Sequence, residues 1–234
     1  MGKAQKVEWL DAAAAAGASP AQGPFARVLV CDLRDPLLAP LRGVEPDAGD
    51  LADVAYAGAS ERAHFLERRL LSRAIVARCA GVAPGAISIS YDEHGAPRVA
   101  GADVFMSVSS RGVRAALAVA SSPVGVDLEF FDEAAPVIGD VLGKSERAAL
   151  ARLAGVERAR AFLRIWTAKE AYLKAVGRGF KRDPTLVSIE ARGDSFRVED
   201  TGFAAELSAG AFAPSGDLVV ACAVLPPRLN GTTP

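Results

Sequence analysis

Trp166 to Gly179 reads WTAKEAYLKAVGRG, and about forty residues earlier Val124 to Glu129 reads VGVDLE. From Trp166 to Val176 there is no Pro or Gly, and Ala, Leu, Lys and Glu dominate, which predicts a helix. Glu170 and Lys174 are four apart and so share a face of that helix. The shorter piece predicts a buried strand, apolar except for Asp127 and Glu129. Those two stand two apart and therefore point to one face of the sheet. Each feature has an ordinary reading: a D-x-E on a strand is common, and Glu170 with Lys174 is an everyday helical pair. The apolar flanks alter the balance, because carboxylates among Val124, Val126 and Leu128 are costly to bury unless something pairs with them. Three carboxylates and two lysines, Lys169 and Lys174, on facing elements can hold a divalent metal and a phosphate chain.

Together the two pieces resemble the signature of the 4′-phosphopantetheinyl transferase superfamily, a G-[IV]-D-[IVL]-E strand followed by a W-x-x-K-E-[AS]-x-x-K helix. The matching residues are Gly125, Asp127, Glu129, Trp166, Lys169, Glu170, Ala171 and Lys174, followed by Gly177 and Gly179. The length is similar to that of the two-lobed, Sfp-type members. The resemblance implies an α/β (α+β) protein of two similar fused lobes, each a small, mostly antiparallel sheet packed with helices. The organisation expected is a flexible N-terminal segment over 1–24, an N-terminal lobe over 25–120, a C-terminal lobe with the metal motifs over 121–225, and a flexible tail over 226–234.

Composition is compatible with this. The chain has 234 residues, 50% apolar and 24% charged, enough for a sizeable core. A formal net charge of −1 argues against a general nucleic-acid binder. Cys31, Cys79 and Cys222 lack metal-ligand spacing and read as buried small residues of a reducing compartment. There is no transmembrane run and no signal-peptide layout, so the expectation is a soluble, cytoplasmic protein without a membrane partner; the resemblance to the two-lobed members implies a monomer.

Taken in order, the chain opens on an Ala-, Gly- and Pro-rich stretch in which a short helix around Val7–Ala16 and a mobile tail are alternatives. Arg27–Leu33 predicts a strand, and Asp35–Gly58 resists assignment. Ser60 reads as an N-cap opening a helix to about Cys79, with Gly81 just past its end. Its five arginines, Arg62, Arg68, Arg69, Arg73 and Arg78, form an ordinary basic face by composition. By resemblance Arg69, then Arg73, would hold the 3′-phosphate of coenzyme A, for which a guanidinium fork is well suited. Ile87–Tyr91, Val104–Ser110 and Arg114–Ala120 predict strands. In relatives the first is followed by D-x-x-G-K-P; here Ala96 replaces the lysine and Arg98 follows two residues later. The family's F-N-x-S-H-[ST] becomes Met106 to Arg111, with Ser110 in place of the histidine and Arg111 beside it. Ser109, Ser110, Arg111 and Arg98 are thus candidate coenzyme A contacts. Ser145 is expected to cap a helix through Leu153, a second helix runs from about Val156, and Trp166 is expected to pack. Leu186–Glu190, Phe196–Glu199 and Leu218–Val224 predict the closing strands.

The resemblance implies transfer of 4′-phosphopantetheine from coenzyme A to a serine of an acyl-, aryl- or peptidyl-carrier protein, releasing adenosine 3′,5′-bisphosphate. Asp127, Glu129 and Glu170 would bind Mg²⁺, with Mn²⁺ as the alternative. Glu170 would also be the base and Lys174 would stabilise the leaving group. Lys169 and Lys174 would contact the pyrophosphate. Two rivals stand beside this reading. One is a coenzyme A- or carrier-binding relative without efficient transfer, motivated by Ala96 and Ser110, since a lost charged contact costs about 1.5–3 kcal/mol. The other is an unrelated metal-dependent phosphohydrolase, which leaves W-x-x-K-E-x-x-x-K unexplained.

Overall fold

The structure is a computed structural model that describes residues 6–55, 58, 62–134, 136–177, 182–202, 207–213 and 216–227. Two sheets make the frame, both built by period-two alternation. In β2 (Ala26–Asp32) and β6 (Arg114–Ala120), Leu29, Cys31, Ala115, Leu117 and Val119 face one core, while Ala26, Val28, Ala116, Ala118 and Ala120 face another. With β1 (Val7–Leu10) and β5 (Phe105–Arg111) these strands form a four-stranded sheet in the order β1-β2-β6-β5. The second sheet joins β7 (Val124–Phe130), β8 (Val187–Arg192), β9 (Ser195–Asp200), β10 (Ala209–Phe212) and β11 (Leu218–Val224) in the order β7-β11-β10-β9-β8. All pairings are antiparallel except β1 with β2.

Val124, Val126, Leu128, Val220, Cys222 and Val224 meet the alanine face of β6 in a core between the sheets. Each sheet's outer face carries a long helix: α3 (Arg62–Ala80) on the first, α5 (Gly155–Val176) on the second. The halves therefore repeat one plan, helix on sheet, back to back. Trp166 is half-buried against the second core, a packing role as expected.

Several elements escaped the sequence reading. The stretch 1–24, read either as a short helix around Val7–Ala16 or as a mobile tail, contains α1 (Ala12–Gly17), a helix that starts later than expected, and before it β1. Val7 and Leu10 are buried, β1 pairs in parallel with β2, and the Asp11 carboxylate accepts from the Ala14 amide at 2.8 Å to cap α1. Within Asp35–Gly58 lie a 3₁₀ turn (Pro36–Leu41) and α2 (Ala48–Ala55). Pro97–Ala100 forms β4, a hairpin partner for β3 (Ser88–Tyr91). The helix expected from Ser145 is α4 (Lys144–Leu150), capped by Gly143, whose amide donates to Glu146 Oε2 at 2.7 Å. Ser60, Gly179 and the tail beyond residue 227 lie outside the described residues.

Gly125 sets the distance between α5 and β7. A Cβ added there would run into the carbonyl oxygen of Ala171 and come within 2.5 Å of the Ala175 nitrogen, so the helix backbone lies directly on the strand. Gly125→Ala is expected to push α5 away and cost about 2–3 kcal/mol, as overpacking does. Urea unfolding should show a lower midpoint at unchanged slope; wild-type stability in this variant would refute the close approach.

Candidate functional site

Because α5 sits so close, residues on the outer face of β7 and one stripe of α5 face each other. Asp127 is buried on β7, and Glu170 and Lys174 come from α5. Lys174 Nζ donates to Asp127 Oδ1 at 2.6 Å and to the Val126 carbonyl at 3.2 Å. The same Oδ1 accepts from the Ser109 hydroxyl at 2.9 Å, across from β5. Ser107, two residues back, accepts from the Val126 amide at 3.1 Å. Side chains of one sheet thus staple the edge strand of the other.

Asp127 Oδ2 and Glu170 Oε1 are buried and have no hydrogen-bond partner among the described residues. Unpaired buried carboxylate oxygens are costly. Burial, with the Asp127 and Glu129 charges behind it, pushes the Glu170 carboxyl up to about 7, while Lys174 and Arg111 pull the other way. A carboxyl raised this way binds its proton more tightly folded than unfolded. It therefore makes metal-free protein lose stability as pH rises from about 4.5 to about 7. Glu170→Gln should flatten that slope and raise stability at pH 8 by roughly 2 kcal/mol. Urea titrations at pH 5 and pH 8 in chelator test this; an unchanged slope would show that the group titrates elsewhere.

The third expected metal ligand is arranged otherwise. Glu129 is gripped by Arg111 in a bidentate fork, Nη2 to Oε1 at 2.5 Å and Nε to Oε2 at 3.0 Å. Among the described residues no three of His, Cys, Asp and Glu gather closely enough to hold a metal ion. Asp127, Glu129 and Glu170 are neighbours whose charges act on one another but not an assembled ligand set, and Arg111 engages both oxygens of Glu129.

Four of the expected coenzyme A contacts have other partners. Lys169 is fully buried: its Nζ reaches Glu146 Oε2 at 2.6 Å and the carbonyls of Val141 and Pro184 at 2.8 and 2.9 Å, so all three donors are spent. The Glu146 carboxylate, held also by the Ile189 amide at 2.8 Å, makes this a structural pair tying α4, α5 and β8. Arg69 and Arg73 are buried against Asp50 of α2, each with a nitrogen 2.5 Å from its carboxylate, and they also bond the Ile89 and Ile87 carbonyls. Arg98 folds back on Asp92 of its own hairpin at 2.7 Å. Arg68 of α3 donates through Nη1 to the Ser110 hydroxyl, on the face of β5 opposite to that of Ser109 and Arg111.

Two cavities open elsewhere, one of about 650 Å³ beside α3 and one of about 1170 Å³ along β8–β10. Neither is lined by Asp127, Glu129 or Glu170. Unpaired buried carboxylates mark a site more sharply than volume does.

The fold and this cluster define a mixed α/β protein with an acidic, lysine-flanked site where two back-to-back sheets meet. Residues 123–223 match the family model of the 4′-phosphopantetheinyl transferase superfamily. It is 30% identical over 131 residues to the 4′-phosphopantetheinyl transferase HetI of Nostoc sp., covering 52% of this chain and 54% of that protein. It is 24% identical over 163 residues to a putative 4′-phosphopantetheinyl transferase of Synechocystis sp., covering 67% and 66%. The chain thus spans between about half and two thirds of the length of these curated relatives. Among solved structures, the holo-[acyl-carrier-protein] synthase of Thermotoga maritima aligns at TM-score 0.35 and 26% identity over 45% of this chain and 64% of that one. No helix among the described residues is long and apolar enough to cross a membrane.

Lys169→Met should leave the Glu146 charge buried without its partner. Stability is expected to fall by about 3–5 kcal/mol, with the loss appearing in unfolding curves and not as a raised KM for an anionic substrate. A stable variant with only a raised KM would return Lys169 to the binding site.

Proposed function

We propose that the protein is a two-lobed, Sfp-type transferase that moves 4′-phosphopantetheine from coenzyme A to a serine of an acyl-, aryl- or peptidyl-carrier protein, releasing adenosine 3′,5′-bisphosphate. The observation that carries this reading is the pair of buried, unpartnered oxygens, Asp127 Oδ2 and Glu170 Oε1, beside the Lys174 ammonium. An all-oxygen, carboxylate donor set of this kind suits a hard divalent cation such as Mg²⁺ or Mn²⁺. The residues therefore fit the metal: Asp127 and Glu170 would hold it, with Glu129 as third ligand when free of Arg111. When bound, such a cation neutralises charge on the pyrophosphate.

The remaining work falls to the chain. The carrier serine's oxygen forms a bond to the phosphorus next to pantetheine, and the bond to the bridging oxygen breaks, its electron pair leaving with the adenosine 3′,5′-bisphosphate. The hydroxyl proton must go somewhere, and Glu170, buried beside Asp127 and Lys174, is the carboxylate placed to take it. Lys174 spends two of its three N–H groups on Asp127 and Val126 and keeps one for a phosphate oxygen. Ser109 acts behind Asp127, fixing its carboxylate.

A second reading, a relative that binds coenzyme A or a carrier without efficient transfer, is favoured by the grip of Arg111 on Glu129. Incubation with coenzyme A, Mg²⁺ and an apo carrier protein, followed by intact mass, separates the two. A gain of one phosphopantetheine is expected, and Asp127→Ala should lower the rate at least about a hundredfold, the scale of losing a preorganised charged group. Coenzyme A affinity without any mass gain across several carriers would overturn the transferase reading in favour of the second.

A further inference from the structure

β5 and β7 meet in matched steps of two. Ser109 touches Asp127 and Arg111 touches Glu129, both pairs eighteen residues apart on the same faces of their strands. An ordinary surface pair would sit in water, yet the Glu129 side chain is only 17% exposed against 50% for Arg111. The guanidinium ends β5 beside the Gly112 turn and reaches inward, where the charges of Asp127 and Glu170 act on it besides that of Glu129. Its fork engages both Glu129 oxygens, and a coordinated cation would need one of them. Lys174 and Arg111 together already offset much of the cluster's negative charge, so a divalent cation would meet two positive groups.

We propose that Arg111 competes with a divalent cation for Glu129 and, once displaced, turns to an anionic oxygen of the substrate. This deepens the transferase reading above and rests on its metal site. The arginine is then a substrate-positioning residue whose availability depends on the metal, so metal and substrate support each other's binding. Linkage makes that support reciprocal.

The test is calorimetric titration of Mn²⁺ into the full chain, with and without coenzyme A, for wild type, Arg111→Ala and Arg111→Lys. Without coenzyme A, Arg111→Ala should bind Mn²⁺ about three- to fivefold more tightly, the upper range for a half-exposed pair. Arg111→Lys, which keeps the charge but not the fork, should fall between. Coenzyme A should tighten Mn²⁺ binding more in wild type than in Arg111→Ala, because only wild type has a released guanidinium to offer. Measurable but equal Mn²⁺ affinity in wild type and Arg111→Ala overturns the competition while leaving the transferase reading in place. No Mn²⁺ binding to any of the three overturns the metal site and the proposal with it. Circular dichroism of both variants guards against misfolding, and the half-exposed position makes a folded variant the expected result.

Discussion

Burying the Asp127 carboxylate is the constraint on which the rest of the site depends. A lone charge at 2% exposure is stable only if neighbours hold it. Three elements supply them: Lys174 from α5, Ser109 from β5 and the frame of β7 itself. Both donors converge on Oδ1, which leaves Oδ2 unpaired. The hydrogen bonds that stabilise the charge therefore also fix its direction. They require α5 to lie on β7, which Gly125 permits, and β5 to meet β7 edge to edge, which the alanine-lined core between the sheets permits. Packing and chemistry are one arrangement seen from two sides.

Much of this was legible in the letters. Period-two patterns located β2, β5, β6, β7 and β11 to within about a residue or two, and the run from Trp166 fixed α5. Rigid spacings paired Asp127 with Glu129 on the strand and Glu170 with Lys174 on the helix; that the two elements face each other was implied by the resemblance. What stayed hidden were elements whose stability is borrowed. β1 is four residues long and exists through its pairing with β2. α2 carries Asp50, whose burial makes sense only beside Arg69 and Arg73, twenty or so residues away in sequence. No local pattern encodes such a partner.

The cationic groups were the least legible part, for a specific physical reason. Arg and Lys side chains are long, so a position on a helix or strand does not fix where the charge goes. Lys169 adjoins Glu170 in sequence yet points about 100° away around α5, into the pocket of Glu146. Arg69 and Arg73, suited by type to phosphate, are held by Asp50 and by strand carbonyls. Their buried network ties α2, α3 and β3 together. In contrast, Arg111, on the rim of the carboxylate cluster, keeps exposed surface and its contact to Glu129.

The site therefore divides into a fixed part and an adjustable part. Asp127, Ser109 and Ser107 are buried, and moving any of them breaks bonds between the two sheets. Glu129 and Arg111 lie one step further toward solvent, with the Arg111 side chain half exposed. Glu170 stands between, buried on the helix and facing charges of both signs. The proposed transfer would bring in a pyrophosphate and send out a bisphosphate, changing the local charge at each turnover. On that proposal the buried carboxylates would keep the geometry while the Arg111–Glu129 pair would open and re-form as charge enters and leaves.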